Sequence, residues 1–237
     1  MRACFAKSAT KDAAMTSPAS GPVWLAPGVG FALFENQAIV LDVRADRYFR
    51  LDRTTGMLLA MLGRGELVSS NASAMQRLHD EGLITNRRSD PGPWLHPAGI
   101  AAPTASPLDG REGALALSRR DLVTVVDCMH ARRDLARRPL ISVLTSLPGE
   151  QACAPATDLE AEAARFDRAR RFAPAKPRCL PDALAFVRRM RRAGNAVHLV
   201  FGVKIHPFEA HCWAQHESTV LTDPLERVLR FKPVLAI

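Results

Sequence analysis

A stretch rich in proline and glycine interrupts the chain between residues 89 and 112. Proline lacks the backbone N–H that helices and sheets use, and glycine is the residue most costly to order, so regular structure ends on both sides of such a stretch. We therefore predict two domains, residues 23–90 and 113–237, joined by a linker at 91–112. The residues that mark the interruption are Pro91, Gly92, Pro93, Pro97, Gly99, Pro103, Pro107 and Gly110.

Residues 29–52 predict a three-stranded meander, because runs of β-branched and aromatic residues alternate there with short polar links. Thr54–Thr55 can then cap a helix that ends at Gly63. A second helix is expected over roughly Ser73–Glu81, with a closing strand at 83–85. Three strands, two or three helices and a wing make a winged-helix-like module. The strand runs are Gly30–Phe34, Ile39–Val43 and Tyr48–Leu51.

The second domain begins with helices. Residues 115–147 have a helical pattern that Pro139 interrupts, and residues 158–172 predict another helix, rich in alanine and arginine. From Cys179 to the end, the sequence predicts one helix followed by strands, so the whole chain belongs to the α+β class. The apolar positions expected on one side of the first helix are Leu117, Leu122, Val125, Val126 and Met129.

Composition and charge narrow the classes of function. The net charge is +8 and the pI is near 9.8, which would attract an acidic peptide, a nucleic acid or an anionic membrane surface. Paired arginines at helical spacing are, however, typical of solvated helix faces. No run of 18 or more apolar residues occurs, so a membrane span is not expected.

The N-terminal segment and the cysteines indicate the cellular compartment. Residues 1–22 lack the apolar segment of a secretory signal and predict a disordered tail, with either Met1 or Met15 as the true start. The cysteines are odd in number, widely spaced and without a CxxC pair, so neither a disulfide framework nor a zinc site is indicated. We expect a cytoplasmic protein with one special thiol. The five cysteines are Cys4, Cys128, Cys153, Cys179 and Cys212.

Cys179, His211 and Asp223 follow one another as thiol, imidazole and carboxylate. This order is typical of a cysteine nucleophile with a histidine base and an acidic orienter. Cys179 lies at the mouth of a predicted helix, where Pro181 is tolerated and where free amides and the helix dipole favour a thiolate. His211 and Asp223 fall on successive predicted strands, so a hairpin can bring them together.

Each candidate has a structural alternative. A buried cysteine is commonly a small hydrophobic residue, and an aspartate before a proline can simply start a turn. Cys212 should point away from His211 and belong to the core, because neighbours on a strand face opposite sides, whereas Trp213 should share the face of His211 as a packing wall. The alternatives to His211 as the base are His198, His206 and His216.

Four segments around these residues carry a family pattern: Arg178–Leu180, Arg191–Gly194, Leu199–Val203 and Pro207–Trp213. Together with Asp223 they resemble the leader peptidase of lasso-peptide biosynthesis, the microcin-processing B protein, from about residue 166 to residue 223. The resemblance implies a transglutaminase-like, papain-related cysteine protease fold, with no metal or organic cofactor. It also implies that Cys179 is the nucleophile, His211 the base and Asp223 the orienting acid.

Four positions depart from the family pattern. Pro181–Asp182 stand where other polar residues are usual, Cys212 replaces a usual alanine, and Gln215 replaces a usual acidic residue. None of them removes a catalytic group, so they bear on the fit of the substrate rather than on the type of reaction.

The first domain carries a second resemblance. Leu41–Asp42, Tyr48–Asp52 and Gly56–Leu59 are similar to the recognition element of ribosomally made peptide pathways, related to the pyrroloquinoline-quinone D-type chaperone. Such elements bind an extended leader peptide as an added strand at a sheet edge. The resemblance implies that Tyr48–Leu51 form that edge, although Phe49 and Leu51 can equally be core residues. The implied peptide-binding residues are Tyr48, Phe49, Arg50, Leu51, Met75 and Leu78.

These observations favour one function and leave two alternatives open. In the leading hypothesis, residues 29–88 bind a lasso precursor and Cys179 hydrolyses the bond between leader and core. The implied partners are the precursor peptide and an ATP-dependent, asparagine-synthetase-like cyclase. A basic winged-helix protein that binds nucleic acid is one alternative, disfavoured by an aromatic content of 6%. A transglutaminase-like acyl transferase, in which an amine replaces water, is the other.

Overall fold

A computed structural model describes residues 22–66, 72–86, 92–110, 119–149, 158–174 and 178–237. Within these residues the fold is a mixture of helices and antiparallel sheets, in agreement with the predicted α+β class. The predicted tail, apart from its last residue, lies outside the described residues, as does Leu117.

The first part of the chain forms the expected meander and two helices. Strands β2, β3 and β4 pair antiparallel in that order, and the short strand β1 pairs with β5. The winged-helix likeness of this part stays a prediction. The elements are β1 (Trp24–Leu25), β2 (Val29–Leu33), β3 (Gln37–Asp42), β4 (Arg47–Asp52), α1 (Arg53–Gly63), α2 (Ala72–Asp80) and β5 (Ile84–Thr85).

The first helix begins two residues earlier than its sequence suggests. Asp52, rather than Thr54 or Thr55, is the N-cap: its carboxylate accepts the backbone N–H of Thr55 at 3.0 Å and the Thr55 hydroxyl at 2.7 Å. An aspartate in extended conformation satisfies the free amides of a first turn as well as a threonine does. Because Asp52 is also the last residue of β4, strand and helix join without a loop.

The second part packs helices against a four-stranded antiparallel sheet with the strand order β8-β7-β6-β9. Strands β6 and β7 form a long hairpin, and the last strand of the chain pairs with β6 on its other side. The elements are α3 (Arg119–Arg137), α4 (Leu140–Thr145), α5 (Leu159–Arg170), α6 (Cys179–Arg192), β6 (His198–Ile205), β7 (Phe208–His216), β8 (Thr219–Val220), α7 (Leu225–Val228) and β9 (Lys232–Ala236).

The predicted packing face of α3 is wrong. Leu122, Val126 and Met129 are 59%, 49% and 40% exposed, whereas Asp121 and Thr124 are buried. Arginines on the neighbouring helices explain the reversal: Arg189 donates to the Thr124 hydroxyl at 2.7 Å, and Arg168 lies 3.8 Å from the Asp121 carboxylate. Buried polar groups need such partners, so these contacts turn the polar side of α3 inward.

One hydrophobic core spans both parts of the chain. Leu41 and Tyr48 from the meander belong to the same buried cluster as Phe186 of α6 and Leu235 of β9. The outer side of the meander has a smaller core of its own against α1 and α2. The meander therefore packs directly on the part of the chain that carries the three candidate catalytic residues.

The predicted linker, described from residue 92 to residue 110, lies against the C-terminal sheet. Leu95 and Ala236 exchange backbone hydrogen bonds of 2.8 Å, and Trp94 is buried. Farther along, the Ser106 hydroxyl donates to the backbone oxygen of Asp223 at 2.8 Å. The predicted domain boundaries stay a prediction, and the structure adds that this segment contacts both β9 and the bend that holds Asp223.

Gly30 permits the close approach of β2 to β9, which joins the two parts. A Cβ atom at this position would lie 2.5 Å from the Leu235 Cβ and 2.6 Å from the Val234 oxygen. We expect Gly30→Ala to lower the free energy of unfolding by about 1–3 kcal/mol, because neither contact can yield without moving backbone. Gly149→Ala, where no atom lies within 4 Å of the new Cβ, is the matched control. Equal denaturant midpoints for the two variants would contradict this account.

Candidate active site

Cys179 is the first residue of α6, and a buried carboxylate fixes that start. Asp182 accepts the backbone N–H of Arg178 at 3.2 Å and pairs with Arg132 at 3.1 Å. Burial raises the pKa of Asp182, and the Arg132 guanidinium opposes that rise. The side chain of Arg178, the N-cap residue, makes no capping hydrogen bond. Asp182 therefore ties the helix start, and with it Cys179, to α3.

The sulfur of Cys179 makes hydrogen-bonding contacts with two adjacent residues of β7, His211 and Cys212. The thiol and the backbone N–H of Cys212 both reach it, and so does the imidazole of His211. The Cys212 thiol and the His211 contact lower the pKa of Cys179 to about 4, although its burial acts in the opposite direction. Cys179 is thus a thiolate at neutral pH, the form in which cysteine is a nucleophile.

His211 and Asp223 form a buried ion pair. The Nε2 atom of His211 lies 3.1 Å from Oδ1 of Asp223, and both side chains are almost fully buried. Burial by itself lowers the pKa of His211, but the contacts with Asp223 and Cys179 outweigh it and raise that pKa to about 9. Because Nε2 faces the carboxylate, Nδ1 is the ring nitrogen left for Cys179.

Asp223 reaches this position from a bend rather than from a strand. Strand β8 ends at Val220, and Asp223 lies three residues beyond it, before α7. Its backbone oxygen accepts the Ser106 hydroxyl, and Arg227 lies 3.4 Å from its Oδ1 atom. The prediction that Asp223 lies on a strand is therefore wrong, but the turn from β7 still brings the carboxylate to His211.

Two aromatic rings pack against the imidazole of His211. The Trp213 ring stacks on His211 with a centroid distance of 6.2 Å, and the Phe231 ring lies 5.1 Å away. Gly202 pairs with His211 across the hairpin and makes room for the indole, since a Cβ there would lie 2.7 Å from the Trp213 ring. Trp213 is fully buried and donates to Gln215 at 2.9 Å, so it is the packing wall that its position on the strand predicted.

The other histidines and cysteines considered for the site lie elsewhere or have a different role. His216 binds the backbone oxygen of Ala196 at 2.6 Å, and His206 is exposed at the turn between β6 and β7. Cys212 is buried in the core under α6, as predicted, yet its thiol also touches Cys179, which the sequence pattern missed. The structure thus brings Cys179, His211 and Asp223 together and adds Cys212 to the group.

Tyr48 is a second neighbour that sequence reasoning assigned differently. It was expected to line the peptide-binding edge, but its ring is buried 6.0 Å from that of Phe208 in an edge-to-face contact. Burial raises the pKa of its hydroxyl well above the usual value, and the negative charge of the Cys179 thiolate acts in the same direction. Since 131 residues separate Tyr48 from Cys179, no local pattern could have predicted this proximity.

The other residues expected to bind peptide divide between surface and core. Arg50 is exposed on β4, Phe49, Leu51 and Met75 are half-buried, and Leu78 is fully buried against α1. Strand β4 pairs with β3 on one side, and no strand of the described residues pairs with its other side. Leu78 therefore supports the fold behind that edge rather than lining its surface.

The two shifted pKa values define a pH window for the ion pair of Cys179 and His211. The pKa of Cys179 is lowered to about 4, so the stability that its negative charge contributes is lost as the pH falls through that value. The pKa of His211 is raised to about 9, so the stability that its positive charge contributes is lost as the pH rises through that value. We expect alkylation of Cys179 by iodoacetamide to be nearly independent of pH from about 5 to about 8.

Alkylation rates followed by peptide mass spectrometry measure this profile. Cys128, whose pKa burial raises to about 12, is the internal control and should stay unlabelled at neutral pH. In His211→Ala, the Cys179 profile should shift toward higher pH because the cation is gone. A wild-type rate that climbs steadily from about pH 6 to about pH 9, as for an ordinary thiol, would exclude the ion pair.

Comparisons with known proteins bear on the second part of the chain. No helix of the described residues has the length and apolar character needed to cross a membrane, and those residues hold no cluster of three or more potential metal ligands. Neither the curated proteins nor the solved structures gave a match. One family model matches, described as the transglutaminase-like superfamily, over residues 122–236. That span contains Cys179, His211 and Asp223, and residues 122–236 are therefore a transglutaminase-like domain.

Proposed function

We propose that this protein is a cysteine peptidase that removes the leader from a lasso-peptide precursor. The observation that carries the proposal is the placement of Cys179 at the mouth of α6, in contact with an imidazole that lies 3.1 Å from a buried carboxylate. Its free thiols fit a reducing compartment, so a cytoplasmic location is part of the proposal.

In the first half of the reaction, the Cys179 thiolate attacks the carbonyl carbon of the scissile bond. The backbone N–H groups of Cys179 and Leu180, in the first turn of α6, are available to stabilise the oxyanion that forms. His211 then gives its proton to the leaving amine while Asp223 holds the ring. The core peptide departs with a new α-amino group, and the leader stays bound as a thioester.

Water completes the reaction in the second half. His211, now neutral, accepts a proton from a water molecule that attacks the thioester, and the leader leaves as a free acid. The same acyl-enzyme can instead be attacked by an amine. A transglutaminase-like domain is compatible with either outcome, so acyl transfer is the second candidate function.

The edge of β4 is the proposed binding place for the leader. An extended peptide could add to that edge through backbone hydrogen bonds, with Phe49, Arg50, Leu51 and Met75 contacting its side chains. Support comes from the position of this strand: Tyr48, which alternates with Phe49, packs beside the hairpin that carries His211. Leader binding and cleavage would then occur on adjoining surfaces. The core would pass to an asparagine-synthetase-like cyclase.

Product analysis tests the function. The full-length protein, with and without the cyclase, is incubated with its precursor peptide in water enriched in oxygen-18. Hydrolysis should yield a leader that is about 2 Da heavier than in ordinary water, since one labelled oxygen enters its carboxylate. A leader joined to an added amine would favour acyl transfer. Intact precursor under both conditions would overturn the proposal.

A further inference from the structure

Two thiols meet at the candidate active site. Cys179 packs against the cluster of buried residues that contains Cys212, and the Cys212 thiol and backbone N–H both contact the Cys179 sulfur. Cys212 is 1% exposed, whereas Cys179 is half-buried. Cys212 lowers the pKa of Cys179 but does not itself react with the peptide, so its thiol has no covalent role in cleavage.

The two thiols differ in reactivity. The contacts that hold Cys179 as a thiolate make it the sulfur that reacts first with an oxidant, since the thiolate is far more nucleophilic than the thiol. Cys212 keeps its proton, because burial raises the pKa of its thiol well above the ordinary value. A reactive thiolate that touches a protonated thiol is the arrangement in which an oxidised cysteine is captured by a neighbour.

We propose that Cys179 and Cys212 form a peroxide-responsive pair, in which oxidation of Cys179 leads to a reversible intrachain disulfide between them. The proposal goes beyond peptide cleavage and does not depend on the identity of the substrate. It requires only that Cys179 is nucleophilic and that the sulfur of Cys212 can reach it.

Hydrogen peroxide supplies the oxidising equivalents. The Cys179 thiolate attacks one oxygen of the peroxide, the O–O bond breaks, and the leaving hydroxide takes the imidazolium proton of His211 and becomes water. Cys179 is then a sulfenic acid. The Cys212 sulfur attacks the Cys179 sulfur, the S–OH bond breaks, and the hydroxide leaves with the thiol proton as a second water. One peroxide is reduced and two thiols are oxidised to one disulfide.

The consequence is protection of the nucleophile. In the disulfide, Cys179 is no longer a thiolate and cannot attack a peptide carbonyl, so the site is inactive until a dithiol reduces it. The disulfide also removes the sulfenic acid before further peroxide can convert it irreversibly to sulfinic or sulfonic acid. Formation of an S–S bond of about 2 Å requires the two contacting sulfurs to move closer together.

The sequence itself makes the disulfide easy to detect. Trypsin cuts after Arg178, Arg188, Lys204 and Arg227, so Cys179 and Cys212 fall on two separate peptides, residues 179–188 and 205–227. Cys128 falls on a third, residues 121–132. Cys128 is fully buried on α3, and burial raises its pKa to about 12, so it reports on non-specific oxidation.

The full-length protein is exposed to about a fivefold molar excess of hydrogen peroxide without substrate. One portion is weighed at once, and a second is alkylated at its remaining thiols and digested. We expect an intact mass lower by about 2 Da, and a cross-link between peptides 179–188 and 205–227 that dithiothreitol reverses. Cys128→Ala should give the same cross-link. In Cys212→Ala and Cys212→Ser, the first peptide should instead gain about 32 or 48 Da, and dithiothreitol should not restore it.

The same measurements can overturn the proposal. Wild-type protein whose Cys179 peptide gains those oxygens as fast as the Cys212 variants do, with no cross-link, would show that Cys212 does not capture the sulfenic acid. A cross-link that involves Cys4, Cys128 or Cys153 in place of Cys212 would do the same. Because no step uses a peptide substrate, failure of leader cleavage leaves this result unaffected.

Discussion

Cys179→Ala is expected to reduce cleavage of the precursor by about 10,000-fold or more, because the thiolate forms the covalent intermediate and no other group of the site can replace it. The new side chain lacks only the sulfur of a half-buried residue, so the fold should be retained. The measurement is the rate of leader release by mass spectrometry, at saturating precursor and with the cyclase present.

Cys128→Ala is the matched control for this change. It removes a thiol from the core at α3, distant in sequence from the site, and burial raises the pKa of that thiol to about 12. We expect its cleavage rate to stay within about threefold of the wild type. A Cys179→Ala protein that still releases leader at the wild-type rate would remove Cys179 from the mechanism.

Asp182→Ala should cost about 3–5 kcal/mol in the free energy of unfolding, the largest stability effect that we expect for a single change near the site. Asp182 is 2% exposed and its partner Arg132 is largely buried, so the change leaves a guanidinium without its carboxylate. It also removes the acceptor of the Arg178 N–H at the start of α6. Denaturant unfolding followed by circular dichroism measures the loss.

A double variant separates two contributions of the pair to stability, that of its charges and that of the volume its side chains fill. Since the penalty comes mainly from the unpaired charge, Asp182→Leu with Arg132→Met should recover most of the lost stability. Glu226→Ala, which breaks the exposed pair with Arg230, should change the unfolding free energy by less than about 0.5 kcal/mol. If Asp182→Ala is as mild as Glu226→Ala, the carboxylate does not anchor the helix.

Local patterns were sufficient where neighbours in sequence determine the structure. The meander, the helix that starts at Cys179 and the β6–β7 hairpin follow from periodicity, turn residues and caps within a few residues of each other. The cap of α1 shows the limit of such reasoning: Asp52 and Thr55 are both good capping residues, and only the backbone conformation selects Asp52.

Local patterns failed where a distant partner changes the balance of energies. The apolar side chains of α3 predicted its buried face, but Arg189 and Arg168 draw Thr124 and Asp121 inward instead. The buried side of α3 also carries the small residues Cys128 and Ala131, so the polar pair is buried beside a close-packed part of the core. Nothing within α3 itself encodes these partners.

The sequence by itself determined the order of thiol, imidazole and carboxylate and the helix mouth at which Cys179 lies, because both are properties of short segments. Only the tertiary structure decided what surrounds that thiol. Packing of the meander on the sheet places Tyr48 beside Phe208, and packing of α6 on β7 places the Cys212 thiol against Cys179. Such contacts depend on how layers meet in space, and sequence separation carries no information about that distance.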